Sequence, residues 1–156
     1  MNGPLSMDNL RVLDICREIE LLNEELYRRF AANFSEDCEL AALWRKTANE
    51  EANHALQFEL AIRAKKEMIK GVEADAKAIA TMYEYVRTIL EMVEESPPDP
   101  AEALRLSIKL EQRLAGMHLD CIAIFSDESS KVLFRAMMAN DHNHIESLLE
   151  ASEKYQ

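Results

Sequence analysis

Acidic residues and histidines lie at the centres of four stretches of the sequence that are otherwise patterned as amphipathic helices. The inward stripe of each stretch is apolar at both ends and polar in the middle, whereas a purely structural core would be apolar throughout. Carboxylate oxygens with one imidazole per metal suit iron or manganese, while a structural zinc site favours Cys and His. The stripes therefore predict a metal site inside a helical bundle. Its candidate ligands are Glu20, Glu51, His54, Glu111, Asp141 and His144.

The candidate carboxylates lie at matching distances from the predicted helix junctions. Glu20 precedes Ser35 by 15 residues, and Glu51 follows it by 16. The two later carboxylates each lie 15 residues from Ser126. Because an α-helix rises about 1.5 Å per residue, each helical hairpin brings its two carboxylates to nearly the same height.

The same intervals occur in both halves of the chain, which indicates a weak internal duplication. His54 follows Glu20 by 34 residues, and His144 follows Glu111 by 33. In each half, the acidic residue three positions before the histidine projects from the same helix face. Burying these charges without compensation would cost more than the stability of a typical domain. No Lys or Arg occupies the central stripe positions, so protons or metal ions must neutralise these charges. The repeated intervals indicate that the two halves form one site with a pseudo-twofold axis.

Composition limits the fold class to α-helices. Gly and Pro supply 3 and 4 of the 156 residues, too few turns for a sandwich, a barrel or a doubly wound sheet. The patterns predict one all-α domain over 1–156: a hairpin at 7–70, a crossover helix at 72–95 and a hairpin at 100–155. The hairpins divide near Ser35 and Ser126. Two antiparallel hairpins joined by a long crossover are the connectivity of a ferritin-like four-helix bundle.

Charge and cysteine content narrow the classes of partner and cofactor. A net charge of −11 argues against nucleic-acid binding, which needs clustered Lys and Arg. No apolar run approaches the roughly 18 residues of a membrane span and no leader begins the chain, so we expect a cytoplasmic protein without a membrane partner. The three cysteines, Cys16, Cys38 and Cys121, form no CxxC pair. We therefore expect no disulfide framework, no rubredoxin-type FeCys4 site and no haem.

At several of these residues the sequence resembles the rubrerythrin-like branch of the ferritin-like di-iron superfamily. Glu20 is followed seven residues later by Tyr27 and then by Phe30, as in the first-helix pattern of that family. The stretch E-E-A-N-H-A at 50–55 is similar to its second-helix E-E-x-x-H-A signature. The resemblance spans nearly the whole chain, and it implies that Glu51 and the histidine at position 54 are ligands.

The second hairpin departs from the pattern of that family. In place of a GExxE-type pair it offers Glu111 alone, with His118 seven residues further on. Glu91 and Glu94 have the spacing of that pair, but they lie on the crossover, and we interpret them as solvated. Asp141 has a side chain one carbon shorter than the expected Glu, which leaves open whether it bridges two ions or chelates one.

The resemblance implies a non-haem oxidoreductase with two Fe ions, or two Mn ions, that reduces peroxide or oxygen with electrons from an external donor. Tyr27 or His118 would donate a proton as the O–O bond breaks. The residues also leave structural roles open, with Tyr27 as a hydrogen-bond partner or core aromatic and His118 as a core imidazole or an extra ligand. The alternatives are a ferroxidase or iron-storage protein and a metal-free helical interaction module. We expect a homodimer, within which the hairpins close in one chain or exchange between two.

Overall fold

The computed structural model describes residues 7–64, 76–122 and 128–155, and in these ranges the chain is helical, with connecting turns and no strand. The all-α prediction is confirmed. The helices are α1 Met7–Asn33, α2 Cys38–Ala64, α3 Ala76–Glu95, α4 Pro100–Ile122 and α5 Glu128–Glu153. The predicted extensions of helices across 65–75 and 123–127 lie outside the described residues.

Aspartate side chains cap the first turns of α2 and α4. Asp37 Oδ1 accepts the backbone N–H of Leu40 at 3.1 Å, and Asp99 Oδ1 accepts that of Glu102 at 2.8 Å. Each aspartate thereby satisfies one of the backbone donors that the start of a helix leaves without a partner. The local sequence therefore determines where α2 and α4 begin, because a capping aspartate directly precedes each of these helices.

Side-chain contacts define how the helices run. Near the connection between α1 and α2, Arg28 contacts Asn49, and further from it Glu20 contacts His54, so the two helices are antiparallel. The helices α4 and α5 form the second antiparallel hairpin, and α2 packs against α5. Tyr27 in α1 also reaches α4 through a buried hydrogen bond. The four helices therefore surround a common centre.

Helix α3 packs on the outside of this arrangement, against α1 and α4. Its buried apolar residues recur at steps of three and four, which gives it one apolar face. They are Ile79, Met82, Val86, Ile89, Leu90 and Val93. Glu91 and Glu94 lie on the exposed side of α3, as predicted. The crossover helix thus covers the bundle, and its two glutamates lie on the surface.

Aromatic clusters lie on either side of the polar centre along the bundle. Near the connection between α1 and α2, Trp44 packs against Phe30 and Phe34, with ring centroids 5.0 and 5.3 Å apart. Beyond the other end of the polar centre, Phe58 packs against Phe134 at 5.1 Å. Polar residues at mid-height are therefore enclosed by apolar layers. Within the described ranges, no helix has the length and apolar character needed to cross a membrane.

Candidate metal centre

Four helices contribute charged or titratable side chains to one buried layer at the middle of the bundle. Each of these side chains is at most 5% exposed. They are Glu20 from α1, Glu51 and His54 from α2, Glu111 and His118 from α4, and Asp141 and His144 from α5. All six predicted ligands, together with the predicted His118, therefore lie in this layer. Within the described chain, six of these seven residues form two groups with the spacing of metal ligands, and Asp141 belongs to neither group.

The first group consists of Glu20, His54 and His118. One donor atom from each lies within 4.8 Å of the other two. The Nε2 atom of His118 contacts Glu20 Oε1, and the Nδ1 atom of His54 lies 3.7 Å from Glu20 Oε2. One carboxylate and two imidazoles thus face one another. The sequence pattern instead predicted one imidazole per metal.

The second group consists of Glu51, Glu111 and His144, with donor atoms again within 4.8 Å of one another. The Nδ1 atom of His144 lies 3.4 Å from Glu51 Oε1 and 3.5 Å from Glu111 Oε2. Both carboxylate oxygens of Glu51 lack a hydrogen-bond partner although they are buried. Two carboxylates and one imidazole therefore converge, with too few hydrogen-bond donors nearby to satisfy the carboxylate oxygens.

The two groups adjoin each other through His54. Its Nδ1 atom is 3.7 Å from Glu20 in the first group and 3.7 Å from Glu51 in the second. The ring centroid of His54 is 5.5 Å from that of His118 and 6.1 Å from that of His144. Dinuclear sites place their ions about 3.5–4 Å apart. The groups are close enough together to serve one dinuclear centre.

Three further side chains contact the two groups from outside. Asp141 Oδ2 lies 2.5 Å from His118 Nδ1, so this predicted ligand touches the ring atom that faces away from Glu20. Tyr27 donates its O–H to Glu111 Oε1 at 2.6 Å. Glu50 contacts the Nε2 atom of His144 and is partly exposed, with 25% of its side chain accessible. Each outer side chain therefore holds one member of a group in place.

Burial and mutual contact shift the pKa values of the first group. Burial alone raises the pKa of Glu20, but the charge of His118 and hydrogen bonds in the layer outweigh it and set the pKa at about 2. Burial lowers the pKa of His54, while Glu20 and Glu51 more than compensate and raise it to about 10. Glu20 and Asp141 likewise overcome burial and raise the pKa of His118 well above its ordinary value. The layer thus retains carboxylates as anions and attracts positive charge.

The balance is opposite for Glu111 of the second group and for Asp141, which contacts His118 of the first group: burial keeps the pKa values of both above their ordinary values. Burial and the nearby charge of Glu51 raise the pKa of Glu111, and burial raises that of Asp141. Burial opposes protonation of His144, but Glu111 and Glu51 raise its pKa to about 10. Burial and Glu111 raise the pKa of Tyr27 well above 10, so its hydroxyl stays protonated. The positive charge of His144 therefore does not fully offset the negative charge of the two carboxylates in this group.

The donor set fits divalent metal ions of the iron and manganese kind. Among the residues whose burial the structure describes, no lysine or arginine is buried, so the neutralising cations within the layer are protons or metal ions. Metal ligands about 2.0–2.2 Å from one ion lie at most ~4.4 Å apart, which is close to the spacing within each group. Unpartnered oxygens of Glu51 and unpartnered ring nitrogens of His54 supply available donors. Oxygen-rich ligation with imidazole suits iron or manganese.

Sequence reasoning located the residues of the layer, but it missed Glu50. The signal was present in the paired glutamates at the start of E-E-A-N-H-A, of which only the second lay on the inward stripe. Glu50 is half-buried beside that stripe and reaches His144 of the other hairpin. A contact between hairpins has no signature in the local pattern.

In comparisons with known proteins, no protein-family model, no curated protein and no solved structure matches the chain. The chemistry of the site therefore rests on the residues of the chain and on their geometry.

Proposed function

We propose that this protein is a ferritin-like, dinuclear metal-carboxylate oxidoreductase that reduces peroxide or oxygen. The observation that carries the proposal is the pair of adjoining buried groups, each with the donors for one ion and with no buried lysine or arginine among the residues whose burial is described. The packing of α1 against α2 and of α4 against α5, with α3 between the two pairs in the chain, supports a ferritin-like connectivity. Two iron or manganese ions bound there would supply redox chemistry and Lewis acidity, with one electron available from each ion.

The residues of the chain would hold the centre in a buried layer of converging donors. Glu20, Glu51 and Glu111 supply anionic oxygens, while His54 and His144 supply one imidazole to each group. Because Glu51 has both oxygens unpartnered and lies near His54 as well as His144, it is the carboxylate best placed to serve both groups. Such a layer holds its donors in position before any ion binds.

A proton is held at the edge of the centre by Tyr27. Its O–H points to Glu111 Oε1, and its raised pKa keeps the proton on the phenol at neutral pH. Reduction of hydrogen peroxide to two waters consumes two protons and two electrons. The phenol is a proton source within the layer, solvent supplies the second proton, and an external reductant must supply the electrons. Tyr27 is therefore proposed as the proton donor on the side of the second group.

Burial restricts the substrate to a very small molecule. Glu20, Glu51, Glu111 and His118 are fully buried, and His144 is only 5% exposed. A diatomic oxidant or hydrogen peroxide can reach such a layer through small fluctuations, whereas a larger organic substrate would require the helices to separate. This burial favours oxygen or peroxide over an organic oxidation substrate.

The proposal is tested on the full chain purified without oxygen and loaded with Fe(II) or Mn(II). Elemental analysis should find two metals per chain, and peroxide should be consumed in the presence of an artificial reductant. The matched control is the Glu51→Ala, His54→Ala double variant, which should bind little metal and consume no peroxide. A fully loaded protein without peroxide- or oxygen-dependent turnover would refute the catalytic role.

Two other outcomes lead to the alternative functions. A large hollow assembly on a sizing column, with rapid oxidation of excess Fe(II), would indicate a ferroxidase or storage protein. A melting temperature that ignores iron and manganese would indicate a metal-free helical module, because a ligand that binds the folded state stabilises it by mass action.

A further inference from the structure

His118 and Asp141 form a buried pair whose geometry assigns a different role to each residue than the sequence does. His118 is fully buried, and its two ring nitrogens face two carboxylates. Nδ1 lies 2.5 Å from Asp141 Oδ2, while Nε2 contacts Glu20 Oε1. The ring therefore stands between an aspartate of its own hairpin and the first group of donors.

The contact with Asp141 determines which nitrogen of His118 is available. An ionised carboxylate can only accept a hydrogen bond, so His118 donates a hydrogen bond from its Nδ1–H to Asp141. The lone pair on Nε2 then faces Glu20. A lone pair and a carboxylate oxygen repel each other at contact distance unless a cation lies between them. The cation is a proton in the metal-free protein and a metal ion in the loaded protein.

Carboxylates that hold the outer nitrogen of a ligating histidine are the usual support for a metal-bound imidazole, because they select the tautomer and orient the ring. Glu50 stands in the same relation to His144, contacting Nε2 while Nδ1 faces Glu51 and Glu111. One carboxylate–imidazole pair thus supports each group. The two pairs use opposite nitrogens, Nδ1 in His118 and Nε2 in His144.

We propose that His118 is a third imidazole ligand of the centre, binding through Nε2, and that Asp141 is the positioning residue that holds its ring. The assignment rests on the metal centre proposed above and changes its ligand set. One ion then receives Glu20 and two imidazoles, and the other receives two glutamates and one imidazole. The first ion is bound by less negative charge, so the two ions should bind with different affinities.

The test counts metal-bound imidazoles in the full chain loaded with Co(II) under anaerobic conditions. An imidazole bound to paramagnetic Co(II) retains one ring N–H, whose proton signal is shifted far outside the ordinary NMR range. The wild type should show three such signals, and His118→Ala should show two. His142→Ala is the matched control, because this histidine is 74% exposed on α5 and should leave all three signals in place.

Variants of Asp141 separate positioning from ligation. Asp141→Asn retains an oxygen that accepts the Nδ1 proton, so it should keep both ions and the third signal. Asp141→Ala removes that acceptor and should weaken one ion by about 10- to 100-fold, as loss of a supporting carboxylate does. If Asp141 were the ligand, Asn and Ala would lose the ion equally, and His118→Ala would keep two ions.

The wild-type spectrum decides the proposal even where a variant fails to fold. Two ions with only two shifted imidazole signals would overturn the role of His118 while leaving the metal centre intact. No bound Co(II), Fe(II) or Mn(II) in the wild type would instead refute the metal centre itself.

Discussion

Tyr27 and His118 occupy equivalent positions in the two hairpins, and comparing them explains why the two halves of the site differ. Each residue follows a buried glutamate by seven positions, Tyr27 after Glu20 and His118 after Glu111. Each also crosses to the glutamate of the other hairpin: the phenol donates to Glu111, and the imidazole contacts Glu20. The pseudo-twofold arrangement predicted from the repeated intervals is visible in these reciprocal contacts.

The difference arises because a phenol has one polar atom and an imidazole has two. Tyr27 uses its hydroxyl on Glu111, and in its own hairpin Glu51 keeps both oxygens without a hydrogen-bond partner. His118 uses Nε2 toward Glu20 and Nδ1 toward Asp141, the counterpart of Glu51. The difference between Tyr27 and His118 at equivalent positions thus leaves Glu51 available to metal ions and engages Asp141.

The largest expected effect on metal binding comes from a substitution of Glu51, the acidic residue whose oxygens have no hydrogen-bond partner. We expect Glu51→Gln to weaken metal binding by more than about 100-fold, because it removes a charged donor that faces both groups and not only a supporting contact. Calorimetric titration of the metal-free protein with Mn(II) measures the loss. Asp141→Asn, the same change at the equivalent position, should have a much smaller effect. Equal losses in the two variants would show that the hairpins contribute symmetrically.

A second effect concerns Glu50, which supports His144. We expect Glu50→Ala to weaken one of the two ions by about 10- to 100-fold, since the His144 ring loses the carboxylate at its outer nitrogen. The equivalent position in the second hairpin is Asn140, and Asn140→Ala is the control. Mn(II) titration should resolve one weakened and one unchanged site for Glu50→Ala. A uniform loss at both sites would contradict a role specific to His144.

A third prediction concerns the hydroxyl of Tyr27, the residue that occupies the position equivalent to His118. In the metal-free protein, Tyr27→Phe leaves Glu111 Oε1 without its buried donor, and we expect the free energy of unfolding to fall by about 2 kcal/mol. Urea denaturation with chelator present measures this loss. Tyr83→Phe on α3, where the ring is half-buried, provides a control for removing a phenol hydroxyl. A loss no larger than that of the control would mean that the hydrogen bond contributes nothing to stability.

The smallest effect lies at the end of the bundle, where Asp37 caps α2. A hydrogen bond from the Tyr155 hydroxyl, together with the backbone N–H of Leu40, lowers the pKa of Asp37 below 3.8. A carboxyl with a lowered folded-state pKa stabilises the protein above its unfolded pKa, and this stabilisation is lost as pH falls through the folded value. Asp37→Asn should therefore be less stable than wild type at pH 7, and the difference should shrink as the pH falls below 3.8.

Chemical denaturation at several pH values checks the effect of Asp37, and Tyr155→Phe should reproduce part of it. A stability difference between wild type and Asp37→Asn that stays constant down to pH 2 would contradict the assigned cause. The capping oxygen is kept in Asp37→Asn, so the measurement isolates the charge from the helix cap.

The sequence was sufficient to predict the helices and the buried layer. Stripes with steps of three and four residues, interrupted at mid-height by Glu20, Glu51, Glu111 and Asp141, placed these side chains inside a bundle. Matching distances to the helix junctions set their common height, because the rise of an α-helix is constant. Both predictions follow from geometry within one helix or one hairpin.

Tertiary structure alone decided which carboxylate meets which imidazole. Tyr27 and Glu111 are 84 residues apart, and Glu20 and His118 are 98 apart, so these contacts depend on how α1 and α4 approach and rotate against each other. Periodicity assigned Asp141 the role of Glu51, but the second nitrogen of His118 engages it instead. The sequence states which residues face inward, and only the packing of the four helices brings them together as donors and partners.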